Sequence, residues 1–313
     1  MDADLRPILI TGHHRSGSTW VGHVLSQSPT VVQVPEVFNL HGGLLRGLWN
    51  HWYQYIDPEE ERPSAVREVQ KLLTYQYDLH RILGGSHGVR WVAFAVSTRL
   101  RTFWQFRRLR RRKSPLPRPL IKDPIALLAA EWLAARFNVE VVILIRHPAA
   151  FVNSLLRVGW RFDFDELLQQ EALMDRYLQN LIGELEQRPE DPIDQSALLW
   201  RCLATVIDEY VKVHPDWLLR RHEDICADPH DELRRLCTAL GIPWDSDIDA
   251  ALRESSSRSN PVSAPADVTH YLRRDSRRLA SLWKRSLTEG EIARIRSQVQ
   301  DIAWKFYEPA SWD

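Results

Sequence analysis

The sequence has few cysteines, no excess of either charge and no hydrophobic run long enough to cross a membrane. Its 313 residues include only Cys202, Cys226 and Cys237, an odd number without the spacing of metal ligands, which fits a reducing compartment. The 41 lysines and arginines are balanced by 41 aspartates and glutamates. No global charge therefore indicates binding to nucleic acid or to a membrane.

The sequence starts without the features of a targeting segment. Met1-Asp2-Ala3-Asp4 is not basic, no hydrophobic leader follows, and a strand pattern begins by Ile8. Apolar stretches such as Val139–Ile145 have the length of a strand and charged flanks. We therefore expect a soluble, cytoplasmic protein without a transmembrane segment. The alternative is a longer, anchored parent from which this chain has been trimmed.

What the sequence does contain is an alternation of strand-like and helical patterns. Hydrophobic residues make up 44% of the chain, enough for the core of one large α/β domain. Short apolar runs that alternate with helices favour a parallel sheet covered on both faces. The predicted strands are 8–11, 31–34, 90–96, 116–121, 139–145 and 217–220, and the predicted helices are 19–26, 64–80, 125–137, 149–156, 163–186, 195–214, 229–240 and 277–304.

Two segments differ from this alternation. Arg107–Lys113 is strongly basic and is followed by three prolines, so we predict a basic loop within residues 101–119. It is either a solvated, mobile insertion or a lip that attracts an anionic acceptor or cofactor. Ser255–Asp267 is rich in serine and proline, and we predict that residues 255–276 form a loop able to close over a site.

The first predicted strand leads into a loop bounded by Gly12 and Gly17. A strand–loop–helix turn directs backbone N–H groups and the positive end of a helix dipole at one point, which suits an anion. The two glycines have the spacing of a Walker phosphate loop, but Ser18 stands where that loop has lysine. The strong cation is instead Arg15, whose planar guanidinium suits phosphate or sulfate. An ordinary strand-to-helix turn is the alternative.

A second strand–turn–helix pattern places another arginine at the end of a strand. Arg146 follows the apolar run that ends at Ile145, and Pro148 suits the first turn of a helix. Ligands of open parallel sheets bind at this end of the strands. Ser154 is eight residues further on, about two helical turns. Together the two loops suggest a nucleotide with anionic groups at both ends.

These motifs resemble those of sulfotransferases that use 3′-phosphoadenosine 5′-phosphosulfate (PAPS). His14–Trp20 (His-Arg-Ser-Gly-Ser-Thr-Trp) resembles the family's 5′-phosphosulfate loop, and Arg146 with Ser154 resembles its 3′-phosphate site. Arg221–Ile225 resembles a Tyr-Glu-Asp/Glu-Leu block, and Trp283–Glu289 contains the Trp and Leu-Thr of a C-terminal segment common in bacterial members. The resemblance implies an α/β fold like that of P-loop NTPases, with PAPS as donor and 3′-phosphoadenosine 5′-phosphate (PAP) as product.

The resemblance also implies roles for individual residues. Glu36 follows Arg15 at the spacing of the general base of tyrosylprotein sulfotransferases, and Lys122 lies in a Lys-Asp-Pro that resembles the motif whose lysine stabilises the transferring group. The alternatives are a loop carboxylate and a surface lysine. The implied catalytic residues are Arg15, Glu36 and Lys122, and the implied donor-binding residues are Gly12, His14, Arg15, Ser16, Gly17, Ser18, Thr19, Trp20, Arg146, Ser154 and His222.

The sequence departs from the family pattern in three places. His222 stands where a tyrosine is expected, and the Lys-Thr-His motif of cytosolic members is absent. Their Gly-x-x-Gly-x-x-Lys segment is also missing, with Arg273 and Arg274 as candidates for its charge. Because the donor carries no doubly charged γ-phosphate, the resemblance implies no required metal ion, in agreement with Ser18.

We therefore expect a sulfotransferase that acts on a hydroxyl group. The style of the motifs favours a glycan, glycolipid or natural product as acceptor, with no nucleic-acid partner. The aromatic stretch Trp49, Trp52, Tyr53 and Tyr55 is either a stacking platform for the acceptor or internal packing. The competing hypotheses are a P-loop small-molecule kinase that uses ATP and Mg²⁺, and a non-catalytic module that binds nucleotide or polyanion. The sequence does not indicate the oligomeric state.

Overall fold

The fold is built on five parallel strands in the order β2-β3-β1-β4-β5. The computed structural model describes residues 6–45, 47–78, 89–111, 115–262 and 272–313, with the backbone alone for residues 89–95. The predicted single α/β domain with a central parallel sheet is thereby confirmed. The strands are β1 (Ile8–Gly12), β2 (Val31–Val34), β3 (Arg118–Lys122), β4 (Glu140–Ile145) and β5 (Leu218–Arg221).

Helices cover both faces of this sheet. Proline starts several of them at the first helical position, where its missing N–H costs nothing. The main helices are α1 (Ser18–Leu25), α2 (Pro63–Leu73), α3 (Val89–Arg110), α4 (Ala130–Phe137), α5 (Pro148–Val158), α6 (Pro192–Val213), α7 (His222–Ala227), α8 (Pro229–Ala239), α9 (Ser246–Ser256), α10 (Ser276–Ala280), α11 (Trp283–Ser286) and α12 (Glu289–Ala303).

Three further stretches are helical but short or irregular. A 3₁₀ turn, Pro124–Ala129, precedes α4, and another, Pro309–Trp312, closes the chain. The predicted helix over residues 163–186 is broken into short turns, namely Asp165–Leu168, Glu171–Leu173, Met174–Leu178, Gln179–Leu181 and Ile182–Glu186.

The alternation of side chains along the central strands divides the core into two layers. Leu9 faces one layer, together with the helices α4, α5, α6 and α12. Ile8 and Ile10 face the other layer, with α1, α8 and α9. Because β1 and β4 are covered on both faces, their residues are almost uniformly apolar. The two central strands therefore fix the positions of the loops that follow them.

The strand predicted at residues 90–96 is wrong, because this segment belongs to helix α3. The dense apolar run is typical of a buried strand, but the buried positions further along, Thr102, Phe106 and Leu109, recur at helical spacing. The basic loop predicted within residues 101–119 is also wrong for residues 101–110, which belong to α3, and for residues 118–119, which belong to β3. Residues 112–114 lie outside the described residues.

The loop predicted at residues 255–276 is described only at its ends. Ser255 and Ser256 still belong to α9, and Ser276 starts α10. Residues 263–271 lie outside the described residues, so the lid hypothesis stays a prediction.

Candidate active site

The carboxyl ends of all five strands carry the residues singled out in the sequence. Because the strands are parallel, these ends meet at one edge of the sheet, where ligands of such folds bind. Glu36 follows β2, Lys122 ends β3, Arg146 follows β4 and His222 follows β5. The loop from Gly12 to Gly17 follows the central strand, β1, and leads into α1.

This loop after β1, residues 12–17, has the backbone of an anion cradle. Gly12 (φ 126°) and Gly17 (φ 91°) have positive φ, and so does Arg15 (φ 65°). A Cβ on Gly12 would lie 2.1 Å from the Leu144 carbonyl oxygen, so glycine alone permits the close packing against β4. Gly17 precedes α1 without a side-chain cap, which leaves the first amides of the helix directed at the loop.

The side chain of Arg146 contacts the backbone of Arg15 in the loop. The Nη1 atom of Arg146 donates to the carbonyl oxygen of Arg15 at 2.8 Å, and Nε of Arg15 donates to Oγ of Ser154 at 3.1 Å. The two strand ends and helix α5 are thus joined at the point where the sequence predicted two anion sites.

Electrostatics at this point favour an anion. Burial, followed by the charges of Arg146, Arg274 and Arg157, lowers the pKa of Arg15 to about 10. Burial also lowers the pKa of Arg146, although Glu223 opposes the shift. The Nε atom of Arg146 is buried and has no hydrogen-bond partner among the described residues. Clustered, desolvated guanidinium groups of this kind are stabilised by an oxyanion.

A network around Glu223 holds Arg146 in place. One carboxylate oxygen of Glu223 accepts from the backbone N–H of His147 at 3.1 Å, and the other accepts from the Tyr307 hydroxyl at 2.9 Å. The indole N–H of Trp200 donates to the carbonyl oxygen of Arg146 at 2.8 Å. The end of β4 is therefore fixed by groups from α6, α7 and the C-terminal segment. No sequence motif indicated these contacts of Glu223 and Tyr307.

Glu36 and Lys122 form an ion pair on the other side of the loop. Their Oε1 and Nζ atoms are 2.5 Å apart, and Nδ2 of Asn39 donates to the second carboxylate oxygen at 2.7 Å. The Glu36 side chain retains 23% of its exposure, whereas that of Lys122 retains 7%. Two residues predicted from separate motifs are therefore in direct contact, with the carboxylate on the solvent side.

Asp123 positions the segment that carries Glu36. Its Oδ2 atom accepts from the backbone N–H groups of Val37 and Phe38 at 2.7 and 2.6 Å. Burial, together with the nearby charge of Glu36, raises the pKa of Asp123 to about 7. The Lys-Asp-Pro motif drew attention to the lysine, but its aspartate is the residue that orients the opposite loop.

The aromatic residues after β2 are mostly packing. Trp49, Tyr53 and Tyr55 are buried, and only Trp52 is partly exposed. The Tyr53 hydroxyl contacts the backbone N–H of His14 at 3.1 Å and its ring Nδ1 at 2.5 Å. Tyr53 thus holds His14 of the loop after β1 through hydrogen bonds, which the sequence spacing did not indicate.

His222 and Trp20 also face inward. A Cβ added to Gly17 would lie 2.7 Å from Nδ1 of His222, whose Nε2 lies 3.3 Å from Sγ of Cys226. Burial lowers the pKa of His222 well below its usual value, so the ring is neutral at pH 7. The indole N–H of Trp20 donates to Oγ of Ser255 at 2.9 Å.

Arg273 and Arg274, the candidates for the charge of the missing Gly-x-x-Gly-x-x-Lys segment, have different surroundings in the structure. Arg274 lies close enough to Arg15 and His222 to lower the pKa of both. Arg273 instead pairs with Glu254 at an exposed position. Arg274 is therefore the member of the pair that adds positive potential to the loop.

The described residues contain neither a candidate metal-binding cluster nor a helix able to span a membrane. No group of three or more histidine, cysteine, aspartate or glutamate side chains is arranged to hold a metal ion within that part of the chain. None of its helices combines the length and the apolar character needed to cross a bilayer.

Comparison with known proteins identifies relatives of this chain. The model of the family described as "Sulfotransferase family" matches residues 7–246. The sulfotransferase domain of the Synechococcus PCC 7002 olefin synthase has the same fold, with a TM-score of 0.50 and 17% identity over 98% of each chain. The sulfotransferase domain from the curacin biosynthetic pathway gives a TM-score of 0.49 and 17% identity over 94% of this chain and 97% of that one. Comparison with curated proteins gave no match.

Proposed function

The chain belongs to the sulfotransferase family, and from this premise we propose that it transfers the sulfuryl group of PAPS to a hydroxyl group of a glycan, a glycolipid or a natural product. The observation that carries the proposal is the contact between Arg15 and Arg146 at the ends of neighbouring strands. It brings a phosphate-type loop and a second buried arginine into one site, as a donor with two separate anionic groups requires.

The residues fit this donor in several respects. The amides from Gly12 to Thr19 and the guanidinium of Arg15 would hold the phosphosulfate, because both are strong donors to oxyanions. Arg146, whose Nε is buried without a partner among the described residues, would bind the 3′-phosphate together with Ser154. Ser18 in place of a Walker lysine suits a donor without a γ-phosphate.

The reaction is a displacement at sulfur. PAPS supplies a sulfuryl group whose bond to the bridging oxygen breaks while the acceptor oxygen forms the new bond, and PAP leaves with the electron pair. Arg15 and Lys122 would stabilise the negative charge that develops on the departing oxygen. Glu36 would accept the proton of the acceptor hydroxyl. The 2.5 Å contact between the Glu36 and Lys122 side chains supports this proposal, because the proposed base and the proposed cation are adjacent.

A binding experiment separates this proposal from a kinase. The protein is titrated with PAP, with adenosine 5′-phosphate and with ATP–Mg²⁺, and the three dissociation constants are compared. We expect PAP to bind most tightly, because only PAP engages Arg146 and Ser154 through a 3′-phosphate. Tighter binding of ATP–Mg²⁺, with no preference of PAP over adenosine 5′-phosphate, would favour the kinase.

An acceptor screen tests the transfer itself. Labelled PAPS is incubated with panels of glycans, glycolipids and hydroxylated natural products, and transfer of the label is measured. A matched panel of simple phenols and steroids serves as control, since we expect these to be poorer acceptors. Tight PAP binding without transfer to any member of the panels would support a non-catalytic nucleotide-binding module instead.

A further inference from the structure

The charge of the chain is very unevenly distributed. Residues 79–122 hold 12 of the 41 basic residues and none of the 41 acidic ones, whereas the whole chain is neutral. Helix α3 lies within this segment, and the seven charged residues from Val89 to Arg111 are all arginines. The remainder of the protein is correspondingly acidic. A neutral protein therefore carries one strongly positive element.

Four of the seven arginines between Val89 and Arg111 lie along the outer side of α3 or just after its last residue. At 100° per residue, five exposed positions of the helix from Leu100 onward lie within about 60° of the Trp104 direction, Trp104 included. We call this surface the basic face; it comprises Leu100, Arg101, Trp104, Arg107 and Arg108, together with Arg111, the exposed residue that follows the helix.

The opposite side of α3 is anchored in the protein. Phe106 and Leu109 are buried, and the Phe106 ring packs edge-on against Tyr75 with centroids 5.2 Å apart. Since the inner side is held in this way, the helix presents its outer side to solvent as a fixed surface. Substitutions on the basic face therefore leave the packing contacts of α3 in place.

Apolar groups accompany the arginines. Trp104 is 58% exposed and Leu100 is 41% exposed, and both lie on the basic face. The guanidinium of Arg107 lies over the Trp104 ring at 5.9 Å from its centroid. Leu116, just beyond the helix, is 41% exposed. Exposed tryptophan and leucine among arginines match the boundary between lipid headgroups and acyl chains.

The arginines of the basic face differ from several exposed arginines elsewhere in the described chain, which pair with carboxylates. Within the described residues, Arg101, Arg107, Arg108 and Arg111 form no ion pair. By contrast, Arg235 pairs with Glu232 and Arg253 pairs with Asp249. The positive field of the basic face is therefore not cancelled by carboxylates of the described chain and is available to an external anion.

We propose that the basic face of α3 docks on an anionic lipid surface. The arginines supply attraction to lipid headgroups, and Trp104 with Leu100 supplies insertion at the interface. A polyanion such as heparin or RNA would use the same arginines but would gain nothing from an exposed leucine. The lipid surface therefore accounts for the whole composition of the face.

Docking there would place the bilayer beside the candidate active site. The guanidinium of Arg99, on the inner side of α3, contacts the carbonyl oxygen of His41 at 3.5 Å. The backbone N–H of His41 donates to Asn39, and Asn39 donates to the Glu36 carboxylate. The lipid surface would thus lie about one helix diameter, ~10 Å, from the loop that carries Glu36. The proposal itself does not depend on the identity of the acceptor.

Vesicle co-sedimentation of the full chain tests the proposal. We expect binding to phosphatidylcholine vesicles that contain phosphatidylglycerol, little binding to phosphatidylcholine alone, and loss of binding at high salt. Each arginine near an anionic leaflet contributes about fivefold in affinity, so the variant Arg101→Gln/Arg107→Gln/Arg108→Gln should bind about 100-fold more weakly. Absence of binding to the anionic vesicles at low salt would overturn the proposal.

Matched variants exclude a general effect of charge. The control Arg188→Gln/Arg235→Gln/Arg253→Gln removes three exposed arginines that pair with carboxylates, and it should bind vesicles much more strongly than the basic-face variant. Circular dichroism and thermal melting should show both variants folded. Equal vesicle binding by the two variants would contradict the role of the basic face.

Trp104 separates a lipid surface from a polyanion. Trp104→Ala should weaken vesicle binding and leave binding to heparin unchanged, whereas Trp304→Ala, at a position 51% exposed elsewhere, should change neither. Vesicle binding that is unaffected by Trp104→Ala, or tight heparin binding by a protein that ignores the vesicles, would assign the face to a polyanion and overturn the proposal.

Discussion

Glu36 is the proposed general base, and two neighbouring side chains contact its carboxylate. Its carboxylate contacts Nζ of Lys122 and the side-chain amide of Asn39. Glu36→Gln keeps the size and the acceptor oxygen but removes the basicity. We expect kcat to fall by about 10²–10⁴, the usual contribution of a general base, with PAP affinity nearly unchanged. Steady-state kinetics and PAP titration measure the two effects separately.

The neighbouring residue Asn39 provides the control for this prediction. Asn39→Ala removes the hydrogen bond to Glu36 but leaves the carboxylate, so the loss of kcat should be much smaller. The acid limb of the pH–kcat profile should persist in Asn39→Ala and disappear in Glu36→Gln. Unchanged kcat in Glu36→Gln would remove Glu36 from the role of base.

Arg146 is expected to read the 3′-phosphate of the nucleotide. Arg146→Ala should weaken PAP binding by about 2–4 kcal/mol, or roughly 30- to 1000-fold, because a charge-assisted contact is lost in a buried site. The variant also loses the contact with the Arg15 carbonyl. The informative quantity is therefore the ratio of the affinities for PAP and adenosine 5′-phosphate, which should approach one. A ratio equal to that of the unmodified protein would contradict the assignment.

The positions of residues in the candidate site were predictable from the sequence only where a motif carries them. The proximity of Glu36 and Lys122 could be anticipated because Glu36 follows β2 and Lys122 ends the neighbouring parallel strand, β3. The contact of Tyr53 with His14 could not, since 39 residues separate them and no pattern links them. Glu223 likewise lay inside a recognised block, but its partner Tyr307 comes from the C-terminal segment.

At the scale of elements, the conformation of the loop after β1 depends on the close approach of Gly17 to the ring of His222. Gly17 has φ 91°, and a Cβ there would lie 2.7 Å from the buried ring of His222. Gly17→Ala should therefore cost stability through both strain and overlap, and it should weaken PAP binding because the loop must shift. Thermal melting and PAP titration measure the two consequences.

Gly241 supplies the matched control for this prediction. It also has a positive φ, 64°, but a Cβ there would meet nothing within 4 Å. Gly241→Ala should show only the cost of the left-handed backbone, about 1–2 kcal/mol, with PAP affinity unchanged. Equal stability and equal PAP affinity in the two variants would show that the approach of His222 to the loop is unimportant.

Helix α3 illustrates why an element can be misread. Its first residues are apolar and β-branched, which favours a strand locally. Its later residues reveal the helix only when Thr102, Phe106 and Leu109 are considered together as a buried stripe. This stripe packs against the protein, for example through the contact between Phe106 and Tyr75, and such tertiary contacts are not visible in a short sequence window. The central strands were predictable because their own, almost entirely apolar residues identify them within a short sequence window.

The stability of the whole molecule depends on histidines that are buried as neutral rings. Burial lowers the pKa of His13 and His147 to about 3, and it lowers those of His14 and His222 well below the usual value. The unfolded chain binds protons at these positions near pH 6.5, but the folded protein does not. These histidines therefore do not reduce the free energy of unfolding well above pH 6.5, and they reduce it increasingly as the pH falls below that value.

Two buried carboxyl groups act in the opposite sense. The pKa of Asp123 is raised to about 7, and that of Glu223 is also raised, in both cases chiefly by burial. As the pH falls, the folded state binds protons at these groups before the unfolded state does. The two carboxyl groups therefore raise the free energy of unfolding as the pH falls. At pH 5.5 each buried histidine costs about 1.4 kcal/mol, and four histidines outweigh two carboxyl groups. We expect a net fall in stability between pH 7.5 and 5.5.

His13 allows this balance to be tested at one position. Its two ring nitrogens are buried without partners among the described residues, between Phe151 and Trp200, so His13→Leu removes a titrating group without breaking a described hydrogen bond. The loss of unfolding free energy from pH 7.5 to 5.5 should shrink by about 1.4 kcal/mol in this variant. If the variant loses as much stability between these two pH values as the unmodified protein does, the acid sensitivity arises elsewhere in the molecule.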